Sequence, residues 1–245
     1  MNQERVALVT GSATGIGRAT AWRLAERGFA VTINYSKSKE DAEETADGVR
    51  TRGAKALLFP ANVADDSAVR AMIERTVEEF GGLNVLVNNA ATTYFIPHDD
   101  LDGLTDQVWE DILNVNLKGT FFGCRAAMPH LKTRRGNIVN IASVAGVAGS
   151  GSSIAYAASK GAVITLTKSL ARAFAPEVRV NAVAPGPVQT RWLADHQDMV
   201  EQAMKLTPLK RPATADDVAD VALFLADGTS LMTGQVLVVD GGRTI

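Results

Sequence analysis

Short runs of β-branched and aliphatic residues alternate with longer segments of helical period along the whole chain. The runs at 6–9, 30–35, 56–59, 85–88, 137–141, 179–183 and 236–239 predict seven strands. Between them, apolar positions three and four apart predict helices at 15–27, 40–52, 65–80, 105–116 running on to 131, 154–174 and 214–225. Alternation of this kind builds a parallel sheet whose crossover helices cover both faces. No linker, charge block or repeat divides it, so 1–245 reads as a single doubly wound α/β domain. The irregular stretch is 187–211. Pro185, Pro187 and Pro208 keep it from forming one regular element, yet it carries Trp192, Leu193, Met199 and Met204. A long irregular loop with apolar content is expected to be functional, here as a substrate-binding loop.

Composition narrows the function. With 46% hydrophobic and 21% charged residues, the 245-residue chain has material for a sizeable core, which excludes a disordered protein. A net charge of -2 offers no global attraction for nucleic acid or anionic lipid, and neither is expected as a partner. No apolar stretch is long enough to span a bilayer, and the lead into 6–9 is too short for a signal peptide, so a cytoplasmic location is expected. Cys124 is the single cysteine and sits among Phe121, Phe122, Ala126 and Ala127, which reads as a buried thiol in a reducing compartment.

Two clusters carry chemistry. The first is 10–17, where Gly11, Gly15 and Gly17 follow the first strand and open the first helix. Glycines there let the backbone approach a pyrophosphate, whose charge is met by the helix N-terminus. The second is Tyr156 with Lys160, four apart and therefore neighbours on one helix face. A phenol with an ordinary pKa near ~10 needs such an ammonium to act as an acid or base near neutrality. His98, His130 and His196 are scattered, and no metal is expected.

With these motifs in hand, the chain resembles the short-chain dehydrogenase/reductase family, in its compact branch with the Thr-Gly-x-x-x-Gly-x-Gly loop. The resemblance also rests on Asn88-Asn89-Ala90, Asn116, Ser143, Pro185-Gly186 and the tail Val239-Asp240-Gly241-Gly242. It implies a Rossmann-like fold and hydride transfer between a nicotinamide cofactor and a carbonyl or secondary alcohol. Carried over, Tyr156 exchanges a proton with the substrate oxygen and Ser143 hydrogen-bonds the same atom. Lys160 lowers the Tyr156 pKa and binds the nicotinamide ribose, and Asn116 holds a water linking Lys160 to solvent. Cofactor contacts are implied at Gly11, Ser12, Thr14, Gly15, Ile16, Gly17, Asn62, Val63, Asn89, Ala90, Tyr156, Lys160, Pro185, Gly186, Val188 and Thr190. Two positions depart from the family pattern: Ala91 replaces a glycine and is expected to restrict the backbone beside the cofactor, because alanine tolerates positive φ poorly, and Asn62 replaces an aspartate.

The second strand ends Asn34-Tyr35-Ser36-Lys37 with no acid to chelate the ribose hydroxyls of NAD(H). Tyr35, Ser36 and Lys37 instead suit a 2′-phosphate, which favours NADP(H) over NAD(H). Apolar residues Tyr94, Phe95, Ile96, Val147, Trp192, Leu193 and Met199 point to an uncharged or apolar-tailed carbonyl. The pattern is most similar to bacterial 3-oxoacyl-acyl-carrier-protein reductases, and on that likeness Lys132, Arg134, Arg135 and Arg172 would lie in a basic patch for an acidic carrier; an ordinary solvated charged face is the alternative reading of the same residues. The alternatives are a carbonyl or sugar/polyol dehydrogenase of the same family and a non-catalytic NADP(H)-binding sensor. The resemblance further implies a homotetramer, its contacts around 117–131 and 154–174.

Overall fold

A computed structural model of the chain describes residues 4–193, 201 and 204–245. Seven parallel strands form one sheet in the order β3-β2-β1-β4-β5-β6-β7. They are β1 (Arg5–Val9), β2 (Phe29–Tyr35), β3 (Ala56–Pro60), β4 (Val85–Asn88), β5 (Asn137–Ile141), β6 (Arg179–Pro185) and β7 (Val236–Val239). All seven expected strands are present; β6 runs two residues further than its β-branched pattern, to Pro185, whose carbonyl accepts from Val144 N at 3.0 Å.

Strand alternation distributes the side chains between two cores. Ala7, Val9, Val85, Val87, Val139, Ile141 and Val183 face one core, formed with α1 (Gly15–Glu26), α2 (Lys39–Thr51) and the C-terminal helix α8 (Ala215–Leu223). Val6, Leu8, Leu86, Ile138 and Val180 face the other, against α3 (Asp66–Phe80), α5 (Thr120–Arg134) and the end of α7 (Ile154–Phe174). Two further helices, α4 (Asp106–Leu113) and the short α6 (Ala145–Ala148), pack on α7, α4 through Val108 and Ile112 against Ala155. Cys124 is 1% exposed in the second core, and burial pushes its thiol up to about 12.

The helix expected from 105 through 131 is interrupted. Asn114–Gly119 winds as a π-helix between α4 and α5, the kind of local widening that accompanies functional positions. Gly119 is needed there, because a Cβ would come within 2.9 Å of Val63 Cγ2.

The strand order reverses between β1 and β4, whose residues pair from Ala7↔Val85 to Val9↔Val87. A crevice opens at such a switch point, beyond the carboxyl ends of the strands. None of the helices in the described residues is long and apolar enough to cross a membrane. Among the described residues there is also no His/Cys/Asp/Glu group suited to a metal ion.

Candidate active site

The glycine loop leaves β1 at this crevice and is tied down from two sides. Thr10 Oγ1 accepts from Asn89 N at 2.9 Å and Ala90 N at 3.0 Å, while Asn89 Nδ2 donates to the carbonyls of Thr10 and Gly11, both at 2.9 Å. From β2, Asn34 Oδ1 accepts from Gly11 N at 3.0 Å and its carbonyl accepts from Ser12 N at 2.9 Å. The sequence pattern does not single out Asn34, a 1%-exposed amide in the mostly apolar β2. Ser12 is fully buried, donates Oγ to Val9 O at 2.7 Å and accepts from Asn34 N, so it shapes the loop from inside. Gly11 and Gly15 take φ of 60° and 57°, and a Cβ on Gly17 would stand 2.5 Å from Gly11 O. These glycines are required by backbone conformation and close approach.

Whether the crevice suits a dinucleotide can be judged from helix ends. Asp65, Thr105, Ser153 and Thr214 each cap the helix they precede with a side-chain oxygen. Thr14 and Ser38, before α1 and α2, make no such bond. Gly119 and Val144, before α5 and α6, make none either; at α1 and α2, which follow β1 and β2 at the crevice, the orphan N–H groups and the helix dipole suit phosphate.

Around it lie the other expected cofactor residues. Tyr35 is partly buried against the core, Ser36, Lys37 and Asn62 are exposed, and Val63 packs on the π-helix. Gly186 lies against Asp240, where a Cβ would come within 2.9 Å of the Asp240 Cβ, and its N–H donates to Val239 O at 2.9 Å. Val188 forms a parallel bridge to Ala213, and Thr190 Cγ2 sits 3.3 Å from where a Cβ on Gly15 would be. Ala91 does not adopt positive φ; among the described residues other than glycine only Arg135 and Lys210 do, so the expected restriction does not arise.

The second cluster is assembled by α6 and α7. Ser153 caps α7 by accepting from Tyr156 N at 3.2 Å, which places Tyr156 in the first turn. Gly146 of α6 presses so close that a Cβ there would lie 2.4 Å from the Lys160 backbone carbon. This approach brings Ser143, two residues beyond β5, beside the Tyr156 phenol, close enough for its hydroxyl to lower the phenol's pKa. Lys160 is 3% exposed, donates Nζ to Ile141 O at 2.8 Å and stands 5.7 Å from the Tyr156 ring centroid.

Burial dominates the electrostatics. It pushes the Tyr156 phenol up to about 12, against the opposing hydrogen bond from Ser143, and pushes the Lys160 ammonium down to about 8. The net shift of Tyr156 is thus upward rather than the expected lowering: with Lys160 Nζ turned to the Ile141 carbonyl, desolvation sets the direction, and Tyr156 is a neutral phenol at pH 7.

Asn116 lies in the π-helix, 1% exposed. Its Oδ1 accepts from Thr92 N at 2.8 Å, and its Nδ2 donates to Thr92 O and to Ser159 Oγ, both at 3.0 Å. The side chain thus braces the segment after β4 against α7, with both amide hydrogens engaged.

The sequence also gave no sign of a hydroxyl pair at the mouth. Thr93 Oγ1 and Ser152 Oγ lie 2.5 Å apart, next to a backbone bond from Ile96 N to Ser152 O of 2.8 Å. Tyr94 is exposed and donates its hydroxyl to Asp111 Oδ2 at 2.7 Å. Ile96 and Tyr156 both pack on the cluster of Val108, Ile112 and Ala155, Trp192 stands 6.3 Å from Tyr156 between ring centroids, and Val147 is exposed. Phe95 and Leu193 are half-buried. Met199 and His196 fall outside the described residues. Of the basic residues expected to form a patch, Arg134 donates to Gly81 O and Lys132 Nζ sits 4.9 Å over the Phe174 ring, while Arg135 and Arg172 are exposed.

A family model described as enoyl-(acyl carrier protein) reductase matches residues 11–244. The chain is 44% identical over 241 residues to ketoacyl reductase 2 of the granaticin polyketide synthase of Streptomyces violaceoruber, covering 97% of this chain and 95% of that one. It is 42% identical over 249 residues to the 3-oxoacyl-(acyl-carrier-protein) reductase FabG of Staphylococcus aureus, covering 99% of each. Among solved structures, a short-chain dehydrogenase from Burkholderia cenocepacia in complex with NADP superposes with a TM-score of 0.92, at 35% identity and 99% coverage of both chains.

Proposed function

Since the chain belongs to the short-chain dehydrogenase/reductase family, an NAD(P)-dependent group of oxidoreductases, we propose that it reduces the 3-oxo group of an acyl thioester with NADPH. The observation that carries the reading is the pairing of the neutral Tyr156 phenol with Ser143 at one end of the crevice. Two hydroxyls directed at one atom suit an acceptor oxygen that becomes an alkoxide as it is reduced.

The cofactor is NADP(H), and when bound it supplies the hydride. The residues that would hold it are the loop at Gly11, Gly15 and Gly17, the segment Tyr35, Ser36 and Lys37, Asn89 and Ala90, and the β6 exit from Pro185 to Thr190. Tyr156 donates its proton to the substrate oxygen, and Ser143 holds that oxygen in place. With a phenol titrating near about 12, the proton is present at neutral pH, so the reductive direction meets the tyrosine already in its donor state. Lys160, titrating near about 8 and 5.7 Å from the ring, is mostly cationic at pH 7 and stabilises the tyrosinate left behind. Asn116 holds the segment carrying Thr92 and Thr93 in register with α7. Trp192, 6.3 Å from Tyr156 between ring centroids, lines the substrate side.

The family description names enoyl reduction, in which a carbon–carbon bond accepts the hydride. A pair of oxygen-directed hydroxyls favours the carbonyl instead. Spectrophotometric assays with NADPH against a 3-oxoacyl thioester, a 2-enoyl thioester, a diketone and a polyol in reverse decide between them. Turnover confined to the enoyl or polyol substrate would overturn the reading, and no turnover with bound cofactor would favour a sensor.

As to assembly, the support for a homotetramer is the outer face of α5, where Phe121 is 38% exposed and only partly covered by Arg125, 5.2 Å from its ring. Light scattering that returned a single-chain mass at micromolar concentration would refute it. A cytoplasmic location suits the NADP(H) pool the reaction needs, and the thioester is carried either by a small molecule or by an acyl carrier protein.

A further inference from the structure

Asp41 stands in the first turn of α2, immediately after the segment Tyr35, Ser36 and Lys37 proposed to receive the 2′-phosphate. An unopposed carboxylate there would repel a phosphate dianion. Two arginines meet it, from different elements. Arg18 of α1 lies 3.7 Å from Asp41 Oδ1, but its Nε donates to Ala13 O and Thr45 Oγ1, both at 3.0 Å, and its Nη2 is 3.0 Å from Glu44. Arg18 therefore serves mainly to join α1 to α2. Arg191 makes the close contact: its Nη1 is 2.8 Å from Asp41 Oδ2, and its Nη2 donates to Ser38 Oγ at 3.2 Å.

Arg191 reaches this point from the opposite side of the crevice. It follows Thr190, which touches the glycine loop at Gly15, so the chain leaving β6 crosses over that turn and lands on α2. Its side chain is 63% exposed, leaving the rest of the five-donor guanidinium fork turned to solvent beside the 35–38 segment. An exposed ion pair contributes little to folding stability, so stability alone does not account for a bridge between two elements 150 residues apart.

We propose that Arg191 is a specificity-determining residue for the cofactor's 2′-phosphate, acting by neutralising Asp41 and presenting its guanidinium beside Ser36, Lys37 and Ser38. The inference rests on the NADP(H) reading above and adds to it a cation supplied by the substrate-side loop rather than by the second strand. NADPH, with its extra dianion, depends on the pair, and NADH does not.

The test uses cofactor binding without turnover. Dissociation constants for NADPH and NADH are measured by cofactor fluorescence at low salt for wild type, Arg191→Ala, Asp41→Asn and the double variant, each checked by thermal melting. Arg191→Ala is expected to weaken NADPH by ~10-fold and NADH by less than about twofold, with an unchanged melting temperature. Adding Asp41→Asn to Arg191→Ala should recover most of the loss, because the repulsion is then gone. If wild type binds NADPH no more tightly than NADH, the NADP(H) reading itself fails. If wild type prefers NADPH but Arg191→Ala weakens both cofactors equally, Arg191 is a strap for the loop and the inference is overturned. A double variant as weak as Arg191→Ala would overturn the role given to Asp41.

Discussion

Replacing Lys160 with methionine should abolish turnover and make the protein more stable. In the folded chain this ammonium is 3% exposed and its pKa falls from 10.5 to about 8. A drop of that size disfavours the charged form by roughly 3 kcal/mol, since each pKa unit is about 1.4 kcal/mol. Methionine is close in volume and carries no charge, so Lys160→Met removes the penalty. It also deletes the hydrogen bond to Ile141 O, which costs about 1 kcal/mol. The net expectation is stabilisation by ~2 kcal/mol at pH 7. The pH dependence is the sharper signature. Between about 8 and 10.5 the unfolded lysine binds a proton that the folded one has lost, so wild-type stability from this group rises with pH. The advantage of Lys160→Met should thus shrink to near zero by roughly pH 9.5. Urea unfolding of both proteins without cofactor, at pH 7, 8.5 and 9.5, measures it. A stability difference that stays constant over this range would show that the ammonium is not desolvated as its burial implies.

Tyr156→Phe should lower kcat by at least ~10²-fold while NADPH still binds with near-wild-type affinity, measured by fluorescence titration, because only the proton donor is removed. Tyr35→Asp should shift the kcat/KM ratio toward NADH by roughly 10- to 10³-fold, and Lys37→Ala should weaken NADPH alone; an unchanged ratio would move the phosphate away from the end of β2. Gly146→Ala places a Cβ 2.4 Å from the Lys160 backbone, so it should destabilise by at least ~2 kcal/mol in denaturant melts and reduce kcat as α6 and α7 separate. Thr214→Ala should lose about 1 kcal/mol, because Thr214 and Asp217 form a reciprocal cap on α8.

The sequence alone determined the strand count, the α/β alternation, the glycine loop and the Tyr156/Lys160 pair, because each is written in local periodicity or fixed spacing. A strand declares itself by a short run of β-branched and aliphatic residues, and two side chains four apart on a helix are neighbours whatever the fold. What depends on contacts between distant segments was left to the tertiary structure. The π-helix at Asn114–Gly119 has no periodic signature; it accompanies the bonds of Asn116 to Thr92 and Ser159, 24 and 43 residues away. Asn34 reads as an oddity in β2 until the glycine loop is laid beside it, and Arg191 as one more surface charge until Asp41 comes within 2.8 Å. The titration of Tyr156 was decided the same way. Spacing put an ammonium beside the phenol, but only the packed structure set how much water both groups lose, and that desolvation fixes the direction in which each titrates.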